Sequence, residues 1–328
     1  MRLFFVGDFR NNNGPASVNK SLKIYMPENT LYSEEVTKLK KIIELVIKTL
    51  KADLVLFSGL TRINIIGFVI AKILGKKSAY LMHGSNDFEG KINNLSNKKD
   101  VEIEKKVLSL TPKIICVSEY FMNWMIETYP QYKSKLTFVN NGVDWDMVSL
   151  VKSIKIKRER NCILSVGGGM PRKNILSICR AIDYLNKEKE KNLKLIVIGK
   201  NAKDTEAIKS YSFVQYIEEV NKDEMIFHYK KAQLFIQNSI FDTFGLAPVE
   251  ALLCGCDLLI SKNVGSKSII SDIQNNDTIH DTHSISELSA KIDMILKKSN
   301  NNRLINSIDK KETTIQSAVN KLLAIYDV

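Results

Sequence analysis

Phe241-Asp242-Thr243-Phe244-Gly245-Leu246-Ala247-Pro248-Val249-Glu250-Ala251-Leu252-Leu253-Cys254-Gly255-Cys256 separates two short apolar runs, Leu234 to Gln237 and Leu258 to Ile260. Each run is too short for a helix and has no polar face. That is how strands read when a parallel sheet is covered on both sides. Between them, Pro248 suits the first position of a helix, where its missing N–H costs nothing, and Gly255 suits the end. The segment is therefore strand, crossover helix, strand, the repeating unit of an open α/β sheet.

Working outward, the unit recurs. Upstream lie a strand at Cys162 to Val166, the turn Gly167-Gly168-Gly169, and a helix from about Asn174 to Glu190. Strands follow at Leu195 to Ile198 and Phe213 to Ile217, then a helix to Lys231 opened by Asn221 and Glu224 in capping-box spacing. Downstream, Ser284 to Lys297 and Asn302 to Tyr326 read as terminal helices. A similar series precedes all of this. Strands are expected at Leu3 to Gly7, Asp53 to Phe57, Ser78 to Met82, Lys113 to Val117 and Leu136 to Val139. Helices are expected at Ser33 to Leu50, Ile63 to Leu74, Val101 to Leu110 and from Ser118 to Thr128, with 87–99 a polar loop. In the first of these helices Val36, Leu39, Ile43, Val46 and Leu50 share one face, with lysines opposite, which predicts a buried apolar stripe. The lysine-rich, aperiodic stretch 151–160 is the expected linker. Two α/β domains result, 1–150 and 161–328, the latter carrying the terminal helices.

Composition agrees with this reading. The 328 residues are 44% hydrophobic and 26% charged, enough apolar material for two cores. No run approaches the length of a membrane span, and the start of the chain is too short in apolar residues for a signal-peptide core. The formal net charge of +12 is spread evenly: residues 1–150 hold 21 basic and 15 acidic residues, and the remainder holds 27 and 21. A nucleic-acid binder concentrates its charge in a stripe, so nucleic acid is not an expected partner. The excess instead suits phosphate-bearing ligands or peripheral contact with an anionic membrane face. Five scattered cysteines without paired ligand spacing imply reduced thiols in a cytoplasmic protein and no metal site.

In open α/β sheets ligands sit beyond the carboxyl ends of strands, so residues just after strands are the candidates for chemistry. Gly167 to Gly169, followed by Arg172 and Lys173, is one such place. Cations at a helix start are electrostatically unfavourable until an anion joins them. Asp242 in the loop, the backbone around Phe244, Gly245 and Leu246, and Glu250 in the first helical turn form another. A carboxylate there accepts two hydroxyls at once, as a ribose diol requires. His83-Gly84, Gly14 in the Asn-rich loop and Asn141-Gly142-Val143-Asp144 complete the set.

In this order the features resemble the retaining glycosyltransferases of family 4, with the GT-B fold of two facing Rossmann-like domains and C-terminal helices. The acid, seven residues, acid pattern from Asp242 to Glu250 is the most specific part. The resemblance implies transfer of a hexose or N-acetylhexosamine from a nucleotide sugar, UDP-linked by family habit, to a glycan, glycolipid or glycoprotein acceptor in cell-surface glycoconjugate synthesis. It implies Glu250 on the ribose, Asp242 on the donor sugar, and Gly168, Phe244, Gly245 and Leu246 near sugar and phosphate. Lys173 and Arg172 would neutralise the leaving diphosphate, His83 would lie near the donor sugar, and Gly14 would approach the diphosphate or acceptor. No metal or other cofactor is expected, and the protein is placed in the cytoplasm, peripherally at the inner membrane face. Two positions depart from the family: Asp242 stands where Glu is usual, and Gly168 where Arg is common. Arg172 is expected to supply the missing guanidinium. The departures leave a second reading, a non-catalytic GT-B protein that binds nucleotide or sugar and stabilises a partner enzyme.

Overall fold

The computed structural model describes residues 1–11, 13–148, 151 and 155–326. The chain divides into two units, residues 1–142 with 311–328, and residues 143–310.

The first unit holds strands β1 (Leu3–Val6), β2 (Leu31–Tyr32), β3 (Leu54–Ser58), β4 (Lys77–Met82), β5 (Ile114–Cys116) and β6 (Leu136–Phe138). They form one sheet in the order β2-β1-β3-β4-β5-β6, every pair parallel. Its helices are α1 (Gly14–Tyr25), α2 (Lys38–Lys51), α3 (Arg62–Ile73), α4 (Asn86–Ile92), α5 (Lys98–Leu110) and α6 (Glu119–Thr128). The second unit holds β7 (Cys162–Val166), β8 (Lys194–Ile198), β9 (Val214–Ile217), β10 (Leu234–Gln237), β11 (Asp257–Ser261) and β12 (Thr278–Ile279). Their order is β12-β11-β10-β7-β8-β9, again parallel throughout. Helices α7 (Ile175–Lys189), α8 (Thr205–Lys209), α9 (Lys222–Lys231), α10 (Ala247–Leu253), α11 (Ile285–Lys297) and α12 (Asn301–Asn306) surround it. The predicted α/β class with two Rossmann-like sheets is the observed one.

Each sheet has one place where the strand order reverses. In the first it lies between β1 and β3, and in the second between β7 and β10. At such a point consecutive crossovers leave in opposite directions, so the two following loops part and open a crevice.

Local signals set several helix ends. The Ser118 hydroxyl accepts the Phe121 amide at the start of α6, and Asn221 and Glu224 form the expected reciprocal capping box on α9. The five cysteines are buried and free. Four expectations are corrected. Residues 86–92 form α4, because Ser85 caps it by accepting the Phe88 amide, a local signal hidden in a polar stretch. The long helix expected from Asn302 is broken at Ser307 and again at Thr314, whose hydroxyl caps a separate helix α13 (Ile315–Ala324). That last helix belongs to the first unit, not to the later domain. It buries Ile315, Ala318, Val319 and Leu322, it packs on α1, and Gly142 admits Ile315 so closely that a Cβ there would lie 2.3 Å from its Cα. Of the expected linker, 152–154 lie outside the described residues. Arg158 is tied to the second unit through the carbonyls of Ala232 and Cys254, and the chain passes between units at 142–143.

The fourth correction concerns α2. Its apolar row faces solvent: Leu39 is 71% exposed, Ile43 50% and Leu50 54%. The buried side is Glu44, Leu45 and Thr49. Glu44 can be buried because the amides of Glu34 and Glu35 and the Lys48 ammonium, 2.7 Å away, satisfy its carboxylate. Burial alone would raise this acid, but those donors outweigh it and hold it below the ordinary glutamate value.

Candidate active site

The second unit's crevice is built by the loops after β7 and β10. After β7, Gly167 and Gly168 have φ of +136° and +56°. A Cβ on Gly168 would lie 2.3 Å from the Lys200 oxygen, and one on Gly169 2.1 Å from the Thr205 hydroxyl. The glycines thus exist so that this turn can lie against the turn after β8. The Gly167 and Gly168 amides both donate to the Ile198 carbonyl, and Gly169 donates to Lys200. Those amides are therefore engaged within the protein and do not face a ligand. The same contact explains the departure from the family pattern, since no arginine side chain fits at 168.

What the glycine turn achieves is the placement of Arg172 and Lys173. Ile240 donates its amide to the Arg172 carbonyl at 2.8 Å, which ties this turn to the loop after β10. The Arg172 guanidinium donates to the Phe241 carbonyl at 3.2 Å. The Lys173 ammonium is 2.6 Å from Asp242 Oδ2, and Gln237 Nε2 donates to the same oxygen at 3.0 Å. Both charged side chains are largely buried. Burial pushes the Asp242 carboxyl upward, but Lys173, Arg172 and Gln237 outweigh it, so the group stays ionised below the usual aspartate value. A shorter acid than the family's glutamate is the one that meets Lys173 here.

The backbone after Asp242 turns back on itself. Gly245 has φ of +75°, Gly265 donates to the Asp242 carbonyl, and Ser266 donates to that of Phe244. The Phe244 ring is buried, so only its backbone is available to the crevice. Among the described residues, the amides of Gly245 and Leu246 donate to no other protein group. They precede α10, where unpaired amides and the helix dipole favour an anion or a sugar oxygen. Glu250, in the first turn of α10, accepts the Tyr229 hydroxyl at 3.0 Å. Burial raises the Glu250 carboxyl above its usual value, with the Tyr229 bond and Lys222 opposing. Lys222 is paired with Asp144 at 2.8 Å, which brings the 143–144 segment beside this acid.

The remaining expected residues lie in the first unit. His83 follows β4, and its Nε2 is 2.8 Å from the Ser58 hydroxyl, which in turn donates to Asn19 Oδ1 at 2.6 Å. A hydroxyl has one proton, so Ser58 accepts from His83 Nε2. Burial pushes this histidine down to about 4. Gly14 is the first residue of α1, whose Asn13 cap accepts the Ala16 amide, and a Cβ there would meet nothing within 4 Å. At the reversal between β1 and β3 a cavity of about 620 Å³ is lined by Gly7, Asp8, Arg10, Ser33, Ser58 and Asn64, among others.

The structure therefore brings Arg172, Lys173 and Asp242 together, and places Phe244, Gly245, Leu246 and Glu250 along the same loop and helix. Gly168 serves packing. Sequence reasoning missed Gln237 and Tyr229, which hold the two acids, and the Asn19-Ser58-His83 chain. A polar residue ending an otherwise apolar strand, as Gln237 and Ser58 do, was the available signal.

Residues 149–311 match the family model described as glycosyl transferases group 1, and residues 20–146 match that described as glycosyltransferase family 4. No curated protein matches the sequence. Among solved structures, Anabaena HepE in complex with UDP and glucose is similar with a TM-score of 0.71 at 13% identity, over 100% of this chain and 99% of that one. The α,α-trehalose-phosphate synthase (UDP-forming) of Burkholderia xenovorans gives 0.72 at 9% identity, over 100% of both chains. A glycosyltransferase from Rickettsia africae gives 0.67 at 15%, over 99% of this chain and 97% of that one.

Proposed function

The chain belongs to the family 4 glycosyltransferases of GT-B fold, and from that premise we propose a retaining enzyme that uses a nucleoside-diphosphate sugar without a metal. The observation that carries the reading is the cluster of Arg172, Lys173 and Asp242 at the strand reversal of the second sheet. UDP is the proposed nucleotide, supported by the UDP complex of the similar HepE structure. The acceptor is a glycan, glycolipid or glycoprotein hydroxyl.

In this reading Glu250 accepts the two ribose hydroxyls, with Tyr229 fixing its second oxygen. The Gly245 and Leu246 amides hold the sugar and phosphate oxygens, and Asp242 accepts donor-sugar hydroxyls. The glycosidic bond to the diphosphate breaks as the acceptor oxygen bonds to the anomeric carbon from the same face. The acceptor proton passes to the departing phosphate oxygen, so no strong protein base is needed. Arg172 and Lys173 stabilise the charge that gathers on the diphosphate. Their cationic side chains do the work a divalent ion does elsewhere. Asp242 has a second task, since its carboxylate holds the Lys173 ammonium in place until the donor arrives. His83, which burial holds neutral, lies near the donor sugar in this reading and is not a proton donor.

The test is a thermal-shift screen of nucleoside diphosphates and their sugars, followed by donor hydrolysis and transfer with the full chain. UDP should raise the melting temperature and Glu250→Ala should abolish the shift. A shift with no turnover of any donor would favour the non-catalytic reading.

A further inference from the structure

Helix α2 is built inside out relative to an ordinary surface helix. It buries Glu44 and Thr49 beside Leu45, with Lys48 half-buried, and turns Leu39, Ile43, Val46, Ile47 and Leu50 to solvent. Its neighbour α3 does the same with Ile66, Val69 and Ile73, spaced at three and four residues. The two helices are adjacent: a Cβ on Gly67 of α3 would meet the Phe57 ring and lie 3.6 Å from the Leu45 methyl of α2. Together they present one apolar face.

The exposed charges carried by these two helices have one sign. On α2 the wheel places Lys40 and Lys51 along one edge of the apolar row, with Lys38 in the first turn. On α3, Arg62 continues the apolar row at its amino end, and Lys72 lies beside it. All five are exposed. The only acid in either helix is Glu44, which is buried and held by Lys48. Of the exposed acids flanking α2, Glu34 is bridged by Lys48 as well, and Glu35 and Asp53 lie just beyond its two ends. An apolar stripe on helices that expose only cations of their own is complementary to a lipid surface with anionic headgroups, where alkyl chains take the stripe and phosphates take the ammonium groups. A second copy of this chain would bring the same cations against themselves.

We propose that the outer face of α2 and α3 docks the first unit onto an anionic bilayer. The cavity at the β1–β3 reversal is lined by Val36 and Lys41 at the amino end of α2 and by Thr61, Ile63 and Asn64 at that of α3. A bilayer held on this face lies next to that cavity, within reach of an acceptor carried by a lipid. The docking itself does not depend on the donor reading.

Co-sedimentation of the full chain with vesicles tests it. The protein should pellet with phosphatidylcholine vesicles containing about one-third phosphatidylglycerol, less with phosphatidylcholine alone, and less as salt rises. Leu39→Asp with Ile43→Asp should lower the bound fraction roughly tenfold or more, and Lys40→Glu with Lys51→Glu should do so too. The charge pair lies wholly on the surface and decides the matter if the apolar pair fails to fold. The UDP-induced melting shift, measured on the same samples, should be unchanged. Wild-type protein that stays in the supernatant with anionic vesicles would overturn the proposal, as would folded variants that pellet like wild type. A concentration-dependent dimer lost in the apolar variant, without vesicle binding, would assign the face to a second copy instead.

Discussion

Lys173 and Asp242 illustrate how much a single contact decides. Removing Lys173 takes a cation from the proposed leaving group and leaves a buried carboxylate without its closest partner. Loss of one such charge-stabilising donor costs about 3–4 kcal/mol in the barrier, so Lys173→Ala and Arg172→Ala should each lower turnover roughly a hundredfold or more. Steady-state rates within threefold of wild type for both would remove the pair from the mechanism. Gly14 offers a cleaner separation of roles. Open space surrounds it, so Gly14→Ala should leave the melting temperature unchanged, and a fall in donor turnover would then report a ligand contact. His83 sets a pH limit. Its folded value of about 4 lies below the 6.5 of an exposed ring, so the unfolded chain binds the proton more readily. Stability should therefore fall as pH drops from about 6.5 toward 4, by an amount on the order of 2 kcal/mol. Urea titrations across this range should show the slope reduced in His83→Gln.

At the scale of elements, the turn after β7 and the helix after β10 act as one device. Backbone contact with the β8 turn excludes side chains at 168, and this fixes where Arg172 and Lys173 emerge. Gly168→Arg, which would restore the residue common in the family, should therefore lower the melting temperature and activity together. Even Gly168→Ala, at φ of +56° with its Cβ against the Lys200 oxygen, should cost about 1–3 kcal/mol by denaturant unfolding. Much of this was legible beforehand: Pro248 and Gly255 bracket α10, and the Asn221 capping box opens α9 where expected. The orientation of α2 was not. Periodicity shows that a helix has two unlike faces, but burial of the polar one depends on Lys48 and the 34–35 amides meeting Glu44. Lys48 lies one turn along the same helix, but the two amides come from the segment before it, and their arrival is not written in the helix period.

For the whole molecule, the return of the chain end is the main finding. Helix α13 covers α1 of the first unit with a row of buried aliphatic residues, and the Tyr326 hydroxyl donates to the Ser78 carbonyl. Truncation after residue 310 should remove that row, expose the α1 surface it covers and destabilise residues 1–142 while leaving the second unit's core intact. Calorimetry should show one transition moved down and the other retained.

The amino-acid sequence by itself determined that two parallel α/β sheets follow one another, because short apolar runs alternating with capped amphipathic segments bury their surfaces in few other ways. It also determined which acids, cations and glycines stand after strands. Only the tertiary structure decided that the 167–169 amides are engaged by the neighbouring turn, that Lys173 pairs with Asp242, and that the last helix returns to the first unit. Each of these depends on groups distant in the chain arriving within hydrogen-bonding or van der Waals distance, and local propensity carries no record of such meetings.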